Sequence, residues 1–203
     1  MKTKEPFALY FISTLLLGML PVAAQSTQNL IANGDFEQGK QNWNLFAPGD
    51  AKAAGAIFEL ADSGAHTGQI AAKISSTQFA RYGIGTRGVR VAPGERYRFS
   101  LWIKAAPDAQ AKIGTSGFLA RLTLQDGNTA TPDDCFYLLA DGSTVRAALP
   151  PPQTGKPVSL PQEWTKLETT LQIPEGANFL ILNLFAWQAS GSILIDDVIL
   201  ERE

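Results

Sequence analysis

Four groups of residues in this sequence are of types that carry chemistry. Asp133 and Asp134 precede Cys135, Asp196 and Asp197 lie near the end, His66 is the only histidine, and Gly83, Gly85 and Gly88 space as G-x-G-x-x-G. A carboxylate pair roughly 5–9.5 Å apart across a cleft would run acid–base hydrolysis. Neighbours on a strand point to opposite faces, so neither adjacent Asp pair qualifies. One histidine excludes His-clustered zinc and leaves a Ser-His-Asp relay a single possible base. His66 sits in a turn pattern and reads as a loop residue. Cys135 opens "CFYLLA", a strand pattern, and reads as an isolated buried thiol. "GIGTRG" (83–88) would cradle phosphate only between a strand and a helix. It is followed by "VRVAPGERYRF", which reads as strand, turn, strand, so the glycines mark a bulge or a close approach of ligand to backbone. No catalytic residue is assigned, and the chain is expected not to be an enzyme.

The elements that position these groups are strands. Beyond the leader no stretch keeps apolar residues at helical spacing for three turns, while short alternating runs recur between Gly, Pro and Asp. Strands are predicted at 57–60, 69–75, 79–91, 96–104, 118–125, 135–140, 164–173, 178–187 and 192–201. Short strands at this spacing predict an all-β fold, a two-sheet sandwich or jelly roll, in one domain over 25–203. Residues 141–162 are too proline-rich for a sheet centre and read as a long loop.

Phase then assigns faces. In "WTKLETTLQIP", Leu167, Leu171 and Ile173 share one face and charged residues the other, the pattern of a half-buried strand. In "NFLILNLFAWQ", Leu180, Leu182, Leu184 and Ala186 form one face, and Ile181, Asn183, Phe185 and Trp187 the other. Both are apolar or aromatic. The second face is either covered by another element or is an exposed surface that binds something.

Residues 1–24 read as a secretory signal peptide: Lys2 and Lys4, an apolar run from Phe7 to Leu20, then small residues up to Ala24. Ser13, Thr14 and Pro21 make the run a poor membrane span, so export to a secreted or periplasmic location without membrane insertion is expected. The formal net charge of −2 shows no basic stripe for nucleic acid. With one cysteine no intrachain disulfide can form.

Five stretches, "NLIANGDFEQGKQNW" (29–43), "SGAHTGQIAAKI" (63–74), "VRVAPGERYRFSLWIKA" (89–105), "EWTKLETTLQIPEGANFLILNLF" (163–185) and "SILIDDVIL" (192–200), resemble in order and spacing the carbohydrate-binding modules of the family four and nine type. Those modules are galactose-binding-like jelly rolls, often attached to bacterial glycanases. The resemblance implies a structural calcium held by the side chains of Glu37 and Asp196, the backbone oxygen of Gly34 and a carbonyl near His66. The residues support one part of this. Asp196 is in phase with Leu194, Val198 and Leu200, so an unbroken strand would turn it inward, where a bare carboxylate must be paired, hydrogen-bonded or metal-bound. Calcium, backbone N–H donors and a bulge that turns the residue outward are all solutions.

The resemblance also implies a sugar groove across the concave sheet, with aromatic rings stacking on pyranose faces. Matching positions are Arg81, Tyr82, Arg121, Asn183, Phe185, Trp187 and Gln188, with Trp102 leaving the core toward an unassigned surface; Trp43 and Trp164 read as scaffold. The expected role is non-catalytic binding of a poly- or oligosaccharide. Two alternatives remain: an envelope or assembly domain using the same aromatic face against a protein partner, such as a separate glycanase, and a small polysaccharide hydrolase or lyase.

Overall fold

The computed structural model describes residues 28–126, 130–147 and 159–203. The expected leader and residues 148–158 of the proline-rich segment fall outside them. In chain order the elements are β1 (Trp43–Phe46), α1 (Gly49–Ala53), β2 (Ile57–Ala61), β3 (Ala71–Thr86), β4 (Val89–Arg90), β5 (Arg96–Ala105), β6 (Gln110–Ala111), β7 (Gly117–Gln125), β8 (Ala130–Leu139), β9 (Thr144–Ala147), β10 (Thr165–Gln172) and β11 (Phe179–Arg202).

Two pairs of predicted segments are continuous strands that bend between two sheets. The front sheet runs β1, the second half of β3, the first half of β11, β7, β8, β9. The back sheet pairs β2 with the first half of β3, that with the second half of β11, then β5 and β10. At the β11 bend the register shifts twice between Trp187 and Gly191, with Gln188 at φ 53° and Gly191 at φ 79°. A Cβ on Gly191 would stand 2.5 Å from Ala109 Cα, so the bend requires glycine.

Alternation fills the space between the sheets. Tyr97, Phe99, Leu101 and Ile103 of β5 face Leu180, Leu182 and Leu184 of β11 and Phe118, Ala120 and Leu122 of β7 in one buried cluster. Full burial of each aliphatic or aromatic side chain contributes about 1.5–3 kcal/mol, and Leu184→Ala would cost about 2–5 kcal/mol.

The opening stretch closes the sandwich through two asparagines. Asn29 Oδ1 accepts the Ile31 and Leu200 N–H groups at 3.0 Å, and its Nδ2 donates to Val198 O. Asn33, at φ 55°, donates to Gly39 O and Gln41 O and accepts from Gln38 N. Trp43 is buried and donates through Nε1 to Asn33 O, with its ring 5.0 Å from Phe36. Asparagine suits these places because its amide satisfies turn carbonyls and its backbone tolerates positive φ.

Candidate functional site

The non-core face of the front sheet carries most of the expected site. Register sets its rows: Asn44, Gly85, Asn183, Arg121 and Tyr137 lie side by side, and the next row holds Phe46, Gly83, Phe185, Leu119 and Leu139. Arg81 pairs with Trp187 one row further on. The Arg81 guanidinium lies 5.2 Å from the Trp187 ring centroid and 6.0 Å from that of Phe46. Arg121 lies 4.9 Å over Phe185 and donates through Nη2 to Asn183 Oδ1 at 2.8 Å. Phe46 and Trp187 meet Phe185 edge-on at 5.2 and 6.3 Å. These are cation–π and edge-to-face geometries in which ring quadrupole and charge agree.

Four expected site residues lie elsewhere or play another part. Tyr82 is 0 % exposed, faces the core between Ala80 and Ile84, and donates to Gly191 O at 3.1 Å. The reason is alternation: Arg81 and Tyr82 are consecutive on one strand and cannot share a face. Burial pushes the Tyr82 hydroxyl pKa well up. Phe185 does point to the non-core face, but it is 1 % exposed, beneath Phe46, Trp187 and Arg121 and packed with Leu119, Tyr137 and Leu139 in a second small core. Trp102 belongs to the back sheet, opposite Asp196 and Lys166, where the His66 ring stacks on it at 3.8 Å. Gln188 occupies the β11 bulge, where its carbonyl accepts the Lys112 N–H at 2.9 Å.

Two residues of this face were not expected. Phe46, 39 % exposed, comes from a four-residue strand too short to show a period. Tyr137 is buried beside Arg121, whose Nε lacks a hydrogen-bond partner among the described residues. Burial foremost lowers the Arg121 pKa and raises that of Tyr137. Alternation of Cys135, Tyr137 and Leu139 was visible, but Phe136 and Leu138 make the other face equally apolar.

A second cluster joins the first turn, the 64–70 loop and the last strand. Asp196 Oδ2 accepts the N–H groups of His66 (2.8 Å) and Thr67 (3.3 Å), and its Oδ1 accepts that of Asp197 (2.8 Å). Glu37 Oε1 accepts those of Gln69 (2.8 Å) and Ile70 (2.9 Å), and Gly34 O accepts Val198 N at 2.9 Å. The four residues expected at a calcium lie along one seam, and among the described residues no group of three or more His, Cys, Asp or Glu side chains gathers there. Its donors are carboxylate and carbonyl oxygens throughout, with lone pairs beyond those the N–H groups occupy, a composition that fits a hard cation.

Asp196 reaches that seam by a route its phase did not foretell. Ile193 and Ile195 face the core, Asp197 takes φ 45°, and a register shift before Ile199 returns Val198 and Leu200 to it. Asp196 thus points to the Trp102 side and is buried, 0 % exposed, under the loop. Burial pushes its pKa up to about 6, against the lowering effect of its N–H bonds. Asp197 holds the same loop from outside, its Oδ2 2.6 Å from His66 Nδ1 and its Oδ1 accepting the Thr67 hydroxyl at 2.7 Å. Trp164 donates to Gly64 O at 3.1 Å beside this cluster.

The remaining motifs are absorbed by the fold. Gly83 and Gly85 lie within β3, where a Cβ would stand 1.9 Å from Leu184 O and 2.4 Å from Asn183 Nδ2. The close approach is made by the chain itself. Cys135 is a buried thiol 3.6 Å from Thr123 Oγ1.

Comparison with solved structures gives the same fold at low identity. The CBM22-1 xylan-binding domain of Paenibacillus barcinonensis Xyn10C is 16 % identical, with 89 % of this chain and 97 % of that one covered and a TM-score of 0.53. TmCBM61, solved in complex with β-1,4-galactotriose, is 16 % identical over 87 % of this chain and 100 % of that one, with a TM-score of 0.51. The enzymatically active domain of bacteriophage CBA120 tailspike protein 4 is 15 % identical with a TM-score of 0.56; 86 % of this chain aligns, spanning 21 % of the tailspike chain. No curated protein matches the sequence. The family model described as "Carbohydrate binding domain", of the CBM_4_9 type, matches residues 28–129. The chain is a β-sandwich that belongs to this family of carbohydrate binding domains.

Proposed function

We propose that the protein is an exported, non-catalytic module that binds a poly- or oligosaccharide on the non-core face of its front sheet. One observation carries the reading: in a chain of this family, that face presents the half-exposed rings of Phe46 and Trp187 beside the polar groups of Arg81, Arg121 and Asn183. A pyranose offers a C–H face to a ring and hydroxyls to guanidinium and amide groups. Each stacked ring contributes about 0.5–1.5 kcal/mol beyond area burial, by analogy with aromatic pairs. Neutral hydrogen bonds add about 0.5–1.5 kcal/mol each. Set against the cost of association, this gives a Kd of about 1 mM to 1 μM. Tyr82 has no part in it, and Phe185 serves as the buttress under the rings. The non-catalytic reading is supported by Asp196 and Asp197, whose carboxylates are committed to the 64–70 loop on the back sheet.

Calcium at the seam is part of the same proposal. Glu37 and Asp196, with backbone oxygens of Gly34 and His66, would hold it. The ion would add a cross-link between the first turn and the last strand to the hydrogen bonds already there.

The test is retardation in native gels containing each of a panel of polysaccharides, with calcium present. Retardation by at least one glycan, lost in a Trp187→Ala protein that still melts cooperatively with a Tm only a few degrees lower, supports the reading. A panel without retardation, together with a stable complex with another protein, would replace it by the assembly-domain alternative.

A further inference from the structure

Charge is distributed unevenly over the two sheets. On the back sheet each arginine has a carboxylate: Arg98 pairs with Glu201 at 2.7 Å, Arg96 with Glu203 at 3.3 Å, and Arg202 with Glu95. Arg87 and Arg90, outside those pairs, are exposed to water. Arg81 and Arg121 are half-buried on the front face and pair with no carboxylate among the described residues.

The chain has acidic groups to spare, 19 against 17 basic. Two like charges on one partly desolvated face are unfavourable without a counter-charge, and burial normally selects paired ions. Aromatic faces orient both guanidinium groups but leave their net charge in place. A guanidinium lying over a ring keeps its N–H edge open, and that fork matches the two oxygens of a carboxylate or a sulfate. Arg121 spends one donor on Asn183, and its buried Nε has no hydrogen-bond partner among the described residues.

We infer that the ligand of this face is an anionic glycan, carrying uronate carboxylates or sulfate esters, and that Arg81 and Arg121 read its charge. The inference rests on the glycan-binding reading above and adds the class of sugar. Burial foremost holds the Arg121 pKa below its usual range, with Arg81 contributing in the same sense and Tyr137 and Cys135 opposing. A bound anion would oppose both lowering effects by stabilising the charged guanidinium.

The full chain at pH 7 is run in native gels containing polygalacturonate, dextran sulfate or neutral xylan, at low and at high NaCl. The protein's own net charge of −2 repels polyanions, so retention by one of them reports a local site. The expected result is retention by an acidic polymer that weakens with salt, exceeds that by xylan, and falls about tenfold or more in Arg81→Gln at unchanged Tm. The acidic polymer that retains the protein assigns the anion as carboxylate or sulfate. Arg121→Gln is the second variant, its folding checked by melting, with Arg81→Gln deciding if it does not fold. Xylan retained as strongly as the acids, or acidic retention indifferent to Arg81→Gln, overturns the inference and leaves the glycan-binding reading intact. Failure of the acidic polymers alone to retain the wild type also overturns it, and failure of every polysaccharide tested removes the broader reading as well.

Discussion

Arg81 and Trp187 are register partners across β3 and β11, and the Arg81 guanidinium lies 5.2 Å from the Trp187 ring centroid. The platform of this face is therefore a cation and a ring held together, and each orients the other. Trp187→Ala removes both a stacking surface and the support of Arg81. Because Trp187 is only partly buried, the expected stability loss is about 1–2 kcal/mol. The expected loss of glycan affinity is about tenfold or more, measured by gel retardation beside a thermal melt.

Tyr82 makes the opposite prediction. Its ring is wholly buried, so Tyr82→Ala should cost about 3–5 kcal/mol, in the range for truncating a core aromatic. Tyr82→Phe keeps the ring and removes only the bond to Gly191 O, for about 1 kcal/mol. Glycan retention by the folded fraction should equal that of the wild type in both. A large, specific affinity loss in Tyr82→Phe would return this residue to the binding face.

Asp196 gives the fold a pH dependence in calcium-free buffer. Its folded pKa of about 6 lies above the ordinary 3.8, so between these values the folded chain holds a proton that the unfolded chain has released. Its contribution is present below about pH 4, is lost as pH rises to about 6, and totals at most about 3 kcal/mol. Denaturant midpoints measured from pH 4 to 7 should fall over that window. Asp196→Asn should flatten the slope and lower the midpoint throughout, since one amide N–H would face a backbone donor.

Calcium should act at the same seam in the opposite sense, by favouring the ionised carboxylate. At a hundredfold excess over its Kd the ion would stabilise the fold by about 2.7 kcal/mol. Chelation should lower Tm, and Asp196→Ala should abolish the difference between chelated and calcium-loaded protein. Identical melts with and without chelator in the wild type would sink the metal proposal while leaving the N–H bonds as the staple.

Gly83→Ala should test the packing of the front sheet. Its Cβ would meet Leu184 O at 1.9 Å, and the neighbour is backbone that has to move. A loss of about 1–3 kcal/mol is expected, read from urea midpoints.

Much of the fold was legible because alternation reports burial directly. Leu180, Leu182 and Leu184 against Asn183 and Trp187 gave both faces of β11, and Tyr97 to Ile103 gave the inward face of β5. Tyr82 was misread against the same rule, since Ala80 and Ile84 already fixed its phase. Asp196 is a different case. Its direction depends on a positive φ at a non-glycine, Asp197, which alternation cannot show. The joined strands were hidden too: "STQ" (76–78) and "QASG" (188–191) separate the predicted strands, but both carry a bend while the ladder continues on either side. Pairing across strands brought Phe46 over Phe185 and Tyr137 beside Arg121, a tertiary outcome that no short window contains.

The 24-residue β11 contributes its first half to one layer and its second half to the other, and β3 does the same beside it. The layers accordingly have no independent existence. A protease nick near Gly191, or an attempt to make the protein as two complementing fragments divided there, would disconnect both at once. The sandwich should melt as one cooperative unit, and tolerated insertions should fall in the turns that leave these two strands whole.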